Sequence, residues 1–306
     1  MTATVLLFGA SGFLGTPVAE RLARDGRVGT LVRVSRRESP DGAGGPWLRH
    51  DLVADGTDAL ARLLHRVGPD AVVNCAGRLS GGPVALVEAN VLVTARLLEA
   101  MRIAAPSARL VVLGSAAEYG TTTRGVPVRE DAPTAPLSAY GVTRLASTRL
   151  VELTARDGAL DAVALRVFNP VGPGLPPENL LGRAAQALRE AARTGADRIT
   201  LGPLDAHRDF VDVRDVAAAV VRAALARHVP EPVLNVGSGG AVAARDAVAL
   251  LARTAGFTGR VAETAPAPSR SRAVPWIAAD VERIRSALDW KPEHDLASSV
   301  RACWEG

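Results

Sequence analysis

Three glycines follow directly on the first apolar run of the chain, in the segment VLLFGASGFLGTPVAERL. Gly9, Gly12 and Gly15 stand between a leucine-rich stretch that predicts a strand and an apolar periodicity that predicts a helix. Glycines at these points permit a tight turn, let the backbone approach a pyrophosphate and let the helix pack closely on the strand. The segment therefore predicts the first βαβ unit of a dinucleotide-binding fold.

Strand and helix patterns alternate through the first half of the chain. The predicted strands are residues 4–8, 30–34, 71–74, 110–114 and 162–168, and the predicted helices are residues 16–24, 57–67, 83–101 and 137–156. Short strands that alternate with helices of about a dozen residues are typical of a parallel sheet covered on both faces. The predicted fold class is therefore α/β, with a Rossmann-type, doubly wound parallel sheet.

The alternation stops after residue 168, where NPVGPGLPPEN holds four prolines and two glycines. We expect residues 1–168 to form the dinucleotide-binding Rossmann domain, to which residues 204–255 partly return. Residues 169–203 and 256–306 would form a smaller C-terminal α/β cap that binds substrate. The cap would lie over the carboxyl ends of the strands, where open α/β sheets bind ligands.

The composition argues against several classes of protein. No run of about 18 uncharged apolar residues occurs, and the N-terminus leads into the glycine turn instead of a signal-peptide cleavage site, so we expect a cytoplasmic protein that does not enter a membrane. Two cysteines, Cys75 and Cys303, and five scattered histidines predict neither a disulfide framework nor a metal site. The net charge of +4 comes without a basic block, so we expect no nucleic-acid binding.

The residues after the second predicted strand bear on the choice of cofactor. An NAD site commonly has an acidic residue there for the ribose hydroxyls, whereas an NADP site offers cations to the 2′-phosphate. This chain has Ser35 and Arg36 and no acid. A guanidinium suits a phosphate, so NADP(H) is preferred, with NAD(H) as the alternative. The competing interpretation is that the arginine is a solvated loop charge.

Four later segments add a family resemblance. They are GSAAEYG at 114–120, SAYGVTR at 138–144, RVFNPVGPG at 166–174 and HRDFVDVRDV at 207–216. Their order resembles that of the extended short-chain dehydrogenases/reductases, the NAD-dependent epimerase/dehydratase family, and NVGSGG at 235–240 and LDWKP at 288–292 extend the match along the chain. In detail the segments look most like those of the GDP-4-keto-6-deoxymannose reductases and other nucleotide-sugar 4-ketoreductases.

The resemblance implies a catalytic group formed by Ser115, Tyr140 and Arg144. Tyr140 would donate a proton to the substrate carbonyl oxygen while the nicotinamide delivers hydride, and Ser115 would hold that oxygen by a hydrogen bond. The family usually has lysine four residues after the tyrosine, which supplies a positive charge and binds the nicotinamide ribose. Arg144 keeps the charge but is planar and permanently protonated, so it cannot join a proton relay.

The resemblance also assigns binding residues. The cofactor would contact Gly9, Ser11, Gly12, Phe13, Leu14, Gly15, Ser35, Arg36, Asp51, Leu52, Asn74, Ala76, Gly77, Tyr140 and Arg144. The substrate, a nucleotide-diphosphate sugar, would contact Glu118, Asn169, Arg208 and an arginine of the SRSR segment, Arg272 or Arg270. Asn90 resembles a buried helix asparagine that organises the active site, although a plain core amide fits it equally. Arg208 could instead form an ion pair with Asp209 or Asp212.

The expected activity is the NADPH-dependent reduction of the 4-keto group of a nucleotide-linked 4-keto-6-deoxyhexose. A 4,6-dehydratase or an epimerase is the first alternative, although the former would need an acid and a base beside Ser115 and the latter would retain NAD. Further alternatives are a reductase of a non-sugar ketone and a non-redox homologue that binds NADP without turnover. Relatives commonly dimerise through the helices that correspond to residues 83–101 and 137–156, so a homodimer is expected.

Overall fold

A seven-stranded parallel sheet organises the larger part of the computed structural model, which describes residues 2–36, 45–266 and 274–306. In chain order the strands are β1 (Ala3–Phe8), β2 (Val28–Ser35), β3 (Trp47–Arg49), β4 (Ala71–Asn74), β5 (Arg109–Ser115), β6 (Ala162–Val167), β7 (Pro170–Val171), β8 (Arg198–Thr200), β9 (His207–Asp209), β10 (Val211–Asp212), β11 (Val233–Val236), β12 (Ala241–Ala243), β13 (Arg260–Ala262) and β14 (Trp276–Ile277). The large sheet has the order β11-β6-β5-β4-β1-β2-β3. The direction of winding therefore reverses between β1 and β4, which creates a crevice at their carboxyl ends.

Ten α-helices accompany these strands in the described part of the chain. They are α1 (Gly15–Arg24), α2 (Gly56–Val67), α3 (Pro83–Leu86), α4 (Val93–Ala104), α5 (Ala139–Arg156), α6 (Leu180–Thr194), α7 (Val213–Leu225), α8 (Ala244–Thr254), α9 (Glu282–Leu288) and α10 (Leu296–Glu305). A π-helical turn at Val87–Leu92 joins α3 to α4, and a 3-10 turn at Ala116–Glu118 follows β5. Within the same residues, no helix has the length and apolar character needed to cross a bilayer, and no group of His, Cys, Asp or Glu is arranged to hold a metal ion.

The predicted α/β class is confirmed, because the parallel strands are rich in β-branched residues and are buried on both faces of the sheet. Successive residues of β1 alternate between the two layers. Val5 and Leu7 pack towards α1, α7 and α9, whereas Leu6 and Phe8 pack towards α2, α4 and α5. The strand β3 was not predicted, since three residues after a Gly- and Pro-rich stretch carry no readable period.

A second, smaller unit is built around α6, α8 and α10, whose apolar faces share one core that includes Leu188, Leu251 and Val300. Short strand pairs, β8 with β13 and β9 with β12 and β14, complete it. Of residues 204–255, α7 and β11 join the large sheet while α8 packs in the smaller unit.

On the C-terminal side, the structure differs from the expected division into a Rossmann domain and a cap. Ile284 and Leu288 of α9, together with Trp290, lie in the core of the large sheet and not in the cap. The Trp290 indole donates a hydrogen bond to the Asp215 carbonyl of α7 at 3.0 Å, which fixes this segment to the Rossmann unit.

Candidate active site

The glycine turn lies at the crevice between β1 and β4. Gly9 has φ +74°, and a Cβ there would lie 2.7 Å from the Ala76 backbone nitrogen. A Cβ on Gly15 would lie 1.9 Å from the Gly9 carbonyl oxygen, so α1 reaches the turn only because both residues are glycine. Among the other residues predicted here, Ser11 and Gly12 are exposed and Phe13 and Leu14 are half-buried at the start of α1. This is a cradle in which a backbone can approach a pyrophosphate.

The end of β2 carries the residues predicted to select the cofactor. Ser35 is half-buried, and its hydroxyl accepts a hydrogen bond from the Trp47 indole at 3.2 Å. Arg36 follows it and is exposed. In the parallel pairing of β2 with β3, Ser35 is the register partner of Arg49, a second exposed cation. The sequence did not point to Arg49, because the strand that carries it was not predicted.

The loop after β3 holds Asp51 and Leu52, which were predicted to contact the cofactor. The Asp51 carboxylate accepts hydrogen bonds from the Val53 and Ala54 backbone nitrogens at 2.9 and 3.2 Å, and Leu52 is buried. Arg96 of α4 donates to the carbonyl oxygens of Leu52 and Val53 and so fixes the loop from the adjacent helix. Arg96 was missed because nothing in a helical arginine indicates which carbonyls it will reach.

The turn after β4 is held by two asparagines. The Asn74 side-chain oxygen accepts from the Ala76 nitrogen at 3.0 Å. Asn90, in the π-helical turn, accepts from the Arg78 nitrogen at 2.9 Å and donates both to the Arg78 carbonyl and to the Thr143 hydroxyl at 3.1 Å. Its amide therefore connects the turn beside β4 with the first turns of α5.

Ser115 and Tyr140 stand on neighbouring elements. Ser115 ends β5, and its hydroxyl oxygen accepts a hydrogen bond from the Ala117 nitrogen at 3.2 Å. Tyr140 is half-buried in the first turn of α5, which the Ser138 hydroxyl caps by accepting from the Gly141 nitrogen at 3.1 Å. A Cβ on Gly141 would lie 2.5 Å from the Ala117 carbonyl, so α5 begins in close contact with the turn that follows Ser115.

Arg144 connects three parts of this site. It is 8% exposed, it donates from Nη1 to the Leu113 carbonyl at 3.1 Å, and its guanidinium carbon lies 5.4 Å from the centre of the Tyr140 ring. A Cβ on Gly77 would lie 2.3 Å from Nη2, so the guanidinium rests directly on the Gly77 backbone. The Arg144 Nε is buried and has no hydrogen-bond partner among the described residues. This unused donor and the glycine cradle fit a bound dinucleotide.

The expectation that Glu118 contacts substrate is corrected by the structure. Glu118 is 0% exposed. One carboxylate oxygen accepts from the Ser115 nitrogen at 2.8 Å and the Thr148 hydroxyl at 2.9 Å, and the other accepts from Arg166 Nε at 2.7 Å. A carboxylate enclosed by these donors does not reach a substrate. The neighbouring Tyr119 is buried as well.

The remaining predicted substrate residues lie on the cap side of the crevice. Asn169, directly after β6, donates to the Asp209 carbonyl at 2.8 Å, which brings β9 next to the end of β6. Arg208 is half-buried on β9 and donates from Nη1 to the His207 carbonyl at 2.8 Å. Burial lowers the pKa of its guanidinium, and the charge of Asp205 acts on that pKa in the opposite direction. Arg270 and Arg272 lie outside the described residues.

The two carboxylates considered as ion-pair partners of Arg208 are engaged by other groups. Asp209 is fully buried and accepts from Ser238, Gly239 and Ala279. Asp212 pairs with Arg214 at 2.7 Å.

Comparisons with known proteins agree with this architecture. A model of the NAD dependent epimerase/dehydratase family matches residues 5–237. The chain is 37% identical over 305 residues to a dTDP-6-deoxy-L-talose 4-dehydrogenase (NAD(P)(+)) of Kitasatospora kifunensis, covering 99% of this chain and 95% of that one. It is 28% identical to a GDP-6-deoxy-D-mannose reductase of Pseudomonas aeruginosa, covering 100% and 98% of the two chains. Of the two, the relative named for a dTDP-linked sugar is therefore the more similar.

A solved structure gives the same result for the fold. The structure of MoeE5 in complex with UDP-glucuronic acid and NAD superimposes with a TM-score of 0.83 at 30% identity, covering 99% of this chain and 98% of that chain. The family match spans the glycine turn, Ser115, Tyr140 and β11. The chain is therefore an NAD(P)-dependent enzyme that belongs to the NAD dependent epimerase/dehydratase family.

Proposed function

We propose that the protein transfers hydride between NADP(H) and C4 of a nucleotide-linked 6-deoxyhexose, and that it works in the direction of 4-keto reduction. The observation that carries this proposal is the placement of Ser115, Tyr140 and Arg144 at the crevice beside the glycine turn. The 37% identity to a protein named as a 4-dehydrogenase of a dTDP-linked 6-deoxyhexose supports the choice of C4 and of the sugar class.

Each residue has a distinct role in the proposed reaction. NADPH, when bound, supplies the hydride that goes to the carbonyl carbon. Because the Ser115 oxygen accepts from the Ala117 nitrogen, its own proton is available to donate to the carbonyl oxygen. Tyr140 gives its phenolic proton to that oxygen, which becomes the hydroxyl of the product. The resulting phenolate lies beside the permanent positive charge of Arg144.

The residues around Ser115 argue against elimination chemistry. A 4,6-dehydratase needs an acid and a base there, and this chain has Ala116 and Ala117. The nearest acid, Glu118, is enclosed by its ion pair with Arg166. An epimerase that retains NAD is disfavoured by Ser35 and Arg36, which replace an acid at the end of β2.

The proposal extends to the cofactor and the substrate diphosphate. NADPH is the preferred cofactor, since Arg36 and Arg49 offer guanidinium groups near the end of β2. Asn169 and Arg208 would hold the diphosphate and the sugar on the cap side. A thymidine diphosphate sugar is the first substrate to test, because the more similar of the two relatives is named for one.

Two wider expectations belong to the same proposal. The protein would form a homodimer through α5 and the helix from α3 to α4, which expose apolar side chains. A cytoplasmic location is in keeping with Cys75 and Cys303, which are both free thiols.

The test is NADPH oxidation, followed by absorbance, with dTDP- and GDP-linked 4-keto-6-deoxyhexoses. We expect turnover with at least one of them, and Tyr140→Phe should lower kcat by about 10²–10⁴-fold while NADPH still binds. Saturable NADPH binding without turnover of either sugar would overturn the proposal. It would favour a non-sugar ketone or a homologue without redox activity.

A further inference from the structure

We propose that Glu118 is a positioning residue that fixes the main chain of Ser115, and with it the serine hydroxyl, for proton donation to the substrate oxygen. Glu118 itself touches neither substrate nor cofactor, because its carboxylate is fully enclosed. The inference rests on the proposed function for its effect on catalysis, but the contact between Glu118 and Ser115 can be tested without any substrate.

Glu118 contacts the main chain of Ser115 directly. Glu118 Oε1 accepts the Ser115 backbone N–H at 2.8 Å while the Ala117 N–H donates to the Ser115 hydroxyl oxygen at 3.2 Å. Ser115 is therefore held at its amide and at its side chain by the turn that follows it. Gly114 makes this approach feasible, since a Cβ there would lie 2.6 Å from Glu118 Oε1.

Glu118 also forms a buried ion pair with Arg166. Arg166 on β6 is 0% exposed and donates from Nε to Glu118 Oε2 at 2.7 Å. Burial by itself lowers the pKa of the Arg166 guanidinium, but its interactions with Glu118 and Tyr119 together outweigh burial, so that the pKa of Arg166 is raised. Through this buried ion pair, Glu118 offers Ser115 a charge-assisted acceptor, which is stronger than a carbonyl or an amide.

Further hydrogen bonds hold Arg166 in place. Arg166 Nη1 donates to the Tyr119 hydroxyl and to the Glu130 carbonyl, both at 3.0 Å. Burial raises the pKa of Tyr119 to about 12, so its hydroxyl stays protonated and donates to Asn235 on β11 at 2.6 Å. The position of Ser115 is thus tied to two further strands of the sheet.

A matched pair of double variants separates positioning from simple stability. Glu118→Gln with Arg166→Met and Glu118→Met with Arg166→Met both remove the two buried charges together, which avoids leaving one of them unpaired. Only glutamine keeps an oxygen that can accept from the Ser115 amide and the Thr148 hydroxyl. The two proteins therefore differ chiefly in the acceptor.

We expect kcat of the methionine variant to fall about tenfold or more below that of the glutamine variant, because small misplacements of a catalytic group are costly. The KM for NADPH and the melting temperature should be similar in the two. Equal kcat values, within about twofold, would overturn the positioning role even if both variants were less stable than the parent.

An amide resonance tests the contact directly. Labelling glycine carbonyls with ¹³C and serine with ¹⁵N selects only two Gly–Ser pairs in the chain, at Gly114–Ser115 and Gly237–Ser238. The Ser115 amide proton should move upfield in the methionine variant and much less in the glutamine variant. The Ser238 amide, which donates to Asp209 at 2.7 Å, serves as the unchanged reference.

The remaining outcomes are also decisive. A Ser115 resonance that is the same in both variants would show that Glu118 does not hold this amide. If the parent enzyme turns over no ketosugar, the proposed function fails by itself, and the resonance alone decides the positioning of Ser115. Should a double variant not fold, Thr148→Val against Thr148→Ser tests instead whether the second donor to Glu118 holds the carboxylate against the Ser115 amide, since only serine keeps that hydroxyl.

Discussion

Arg144 brings a planar cation to a place where the extended short-chain dehydrogenases usually have lysine. Its Nη1 donates a hydrogen bond to the Leu113 carbonyl and its Nη2 lies against Gly77, so the guanidinium is packed between β5 and the turn after β4. A lysine ammonium is a point charge on a flexible stem and could not make both contacts. The charge beside Tyr140 is therefore kept, but its position is set by packing.

The fit between Arg144 and Gly77 predicts a specific coupling. Gly77→Ala places a Cβ 2.3 Å from Arg144 Nη2, so we expect NADPH affinity to fall about tenfold as the guanidinium is displaced. When Arg144 is already replaced by lysine, Gly77→Ala should cause much less loss of NADPH affinity, so the two substitutions should be non-additive in a double-mutant cycle. Fluorescence titration with NADPH measures the affinities. Gly82→Ala is the matched control, since a Cβ there meets nothing within 4 Å. Equal binding by both alanine variants would contradict the coupling.

We expect Arg36 to determine the proposed preference for NADPH. We expect Arg36→Ala to weaken NADPH binding by about tenfold or more while NADH binding changes little, because a charge-assisted contact to the 2′-phosphate is worth about 1.5–3 kcal/mol. The same titration with Arg62→Ala, an exposed arginine on α2, controls for the loss of one surface charge. A solvated Arg36 would leave the NADPH to NADH ratio unchanged.

The residues of the glycine turn and Ser115, Tyr140 and Arg144 could be proposed from sequence, since short local segments carry them. Glu118 could not be interpreted correctly in that way. It follows Ser115 by three positions, which suggested a place near the substrate, but its partner Arg166 is 48 positions further along the chain. Only the fold shows that the carboxylate points into the sheet.

At the scale of elements, the predicted helix over residues 83–101 is interrupted by the π-helical turn Val87–Leu92. The apolar pattern continues through the turn, so periodicity alone does not reveal it. Asn90 lies in this turn and bonds to Arg78 and Thr143, which links the turn beside β4 to α5. Its amide is thus a structural connection close to Tyr140.

The connection between α1 and β2 predicts a pH dependence. The Asp25 carboxylate accepts from the backbone nitrogen, Nε and Nη2 of Arg27, and the side-chain hydrogen bonds from Arg27 lower the pKa of Asp25 from 3.8 to about 2. A lowered pKa stabilises the fold above the unfolded value of 3.8, and this stability is lost as the pH falls towards 2.

We therefore expect Asp25→Asn to lower the free energy of unfolding by at most about 1 kcal/mol at pH 7, since Arg27 is largely exposed. The difference should shrink at about pH 3, where the unfolded carboxyl is mostly protonated. Urea denaturation at both pH values measures it. Combining Arg27→Gln with Asp25→Asn should lower the free energy of unfolding little further. If Asp25→Asn lowered it equally at both pH values, the stabilisation of the Asp25 carboxylate by Arg27 would be contradicted.

At the scale of the whole molecule, the predicted division into two units needed correction at α9. No period in residues 256–306 shows that Ile284, Leu288 and Trp290 cover the large sheet. The placement depends on α7, where the Asp215 carbonyl accepts from Trp290 and the Asp215 carboxylate bonds to His294. Such contacts between distant segments leave no local signal.

The exposed apolar side chains on α5 predict the oligomeric state. Val142 and Leu153 are 53% and 59% exposed and lie three helical turns apart on one face, beside exposed Val84 and Val87. We expect light scattering to give twice the chain mass of 31.7 kDa, and Val142→Arg with Leu153→Arg to give the single mass. Val126→Arg, which alters an equally exposed valine outside the helices, should remain dimeric. A parent protein of single mass would contradict the prediction.

The large sheet is completed by a strand from late in the chain. β11 pairs with β6, and α7 and α9 cover one face, although the cap helix α6 is made before any of them. During synthesis on the ribosome, β6 therefore keeps a bare edge until about 70 more residues have emerged, and one face of the sheet is covered incompletely until α9 emerges about 120 residues after β6; these delays are about 3.5–14 s and 6–24 s at ordinary elongation rates. We therefore expect a fragment that ends at residue 168 to lack the strand that pairs with β6 and to expose an edge that can pair with another chain.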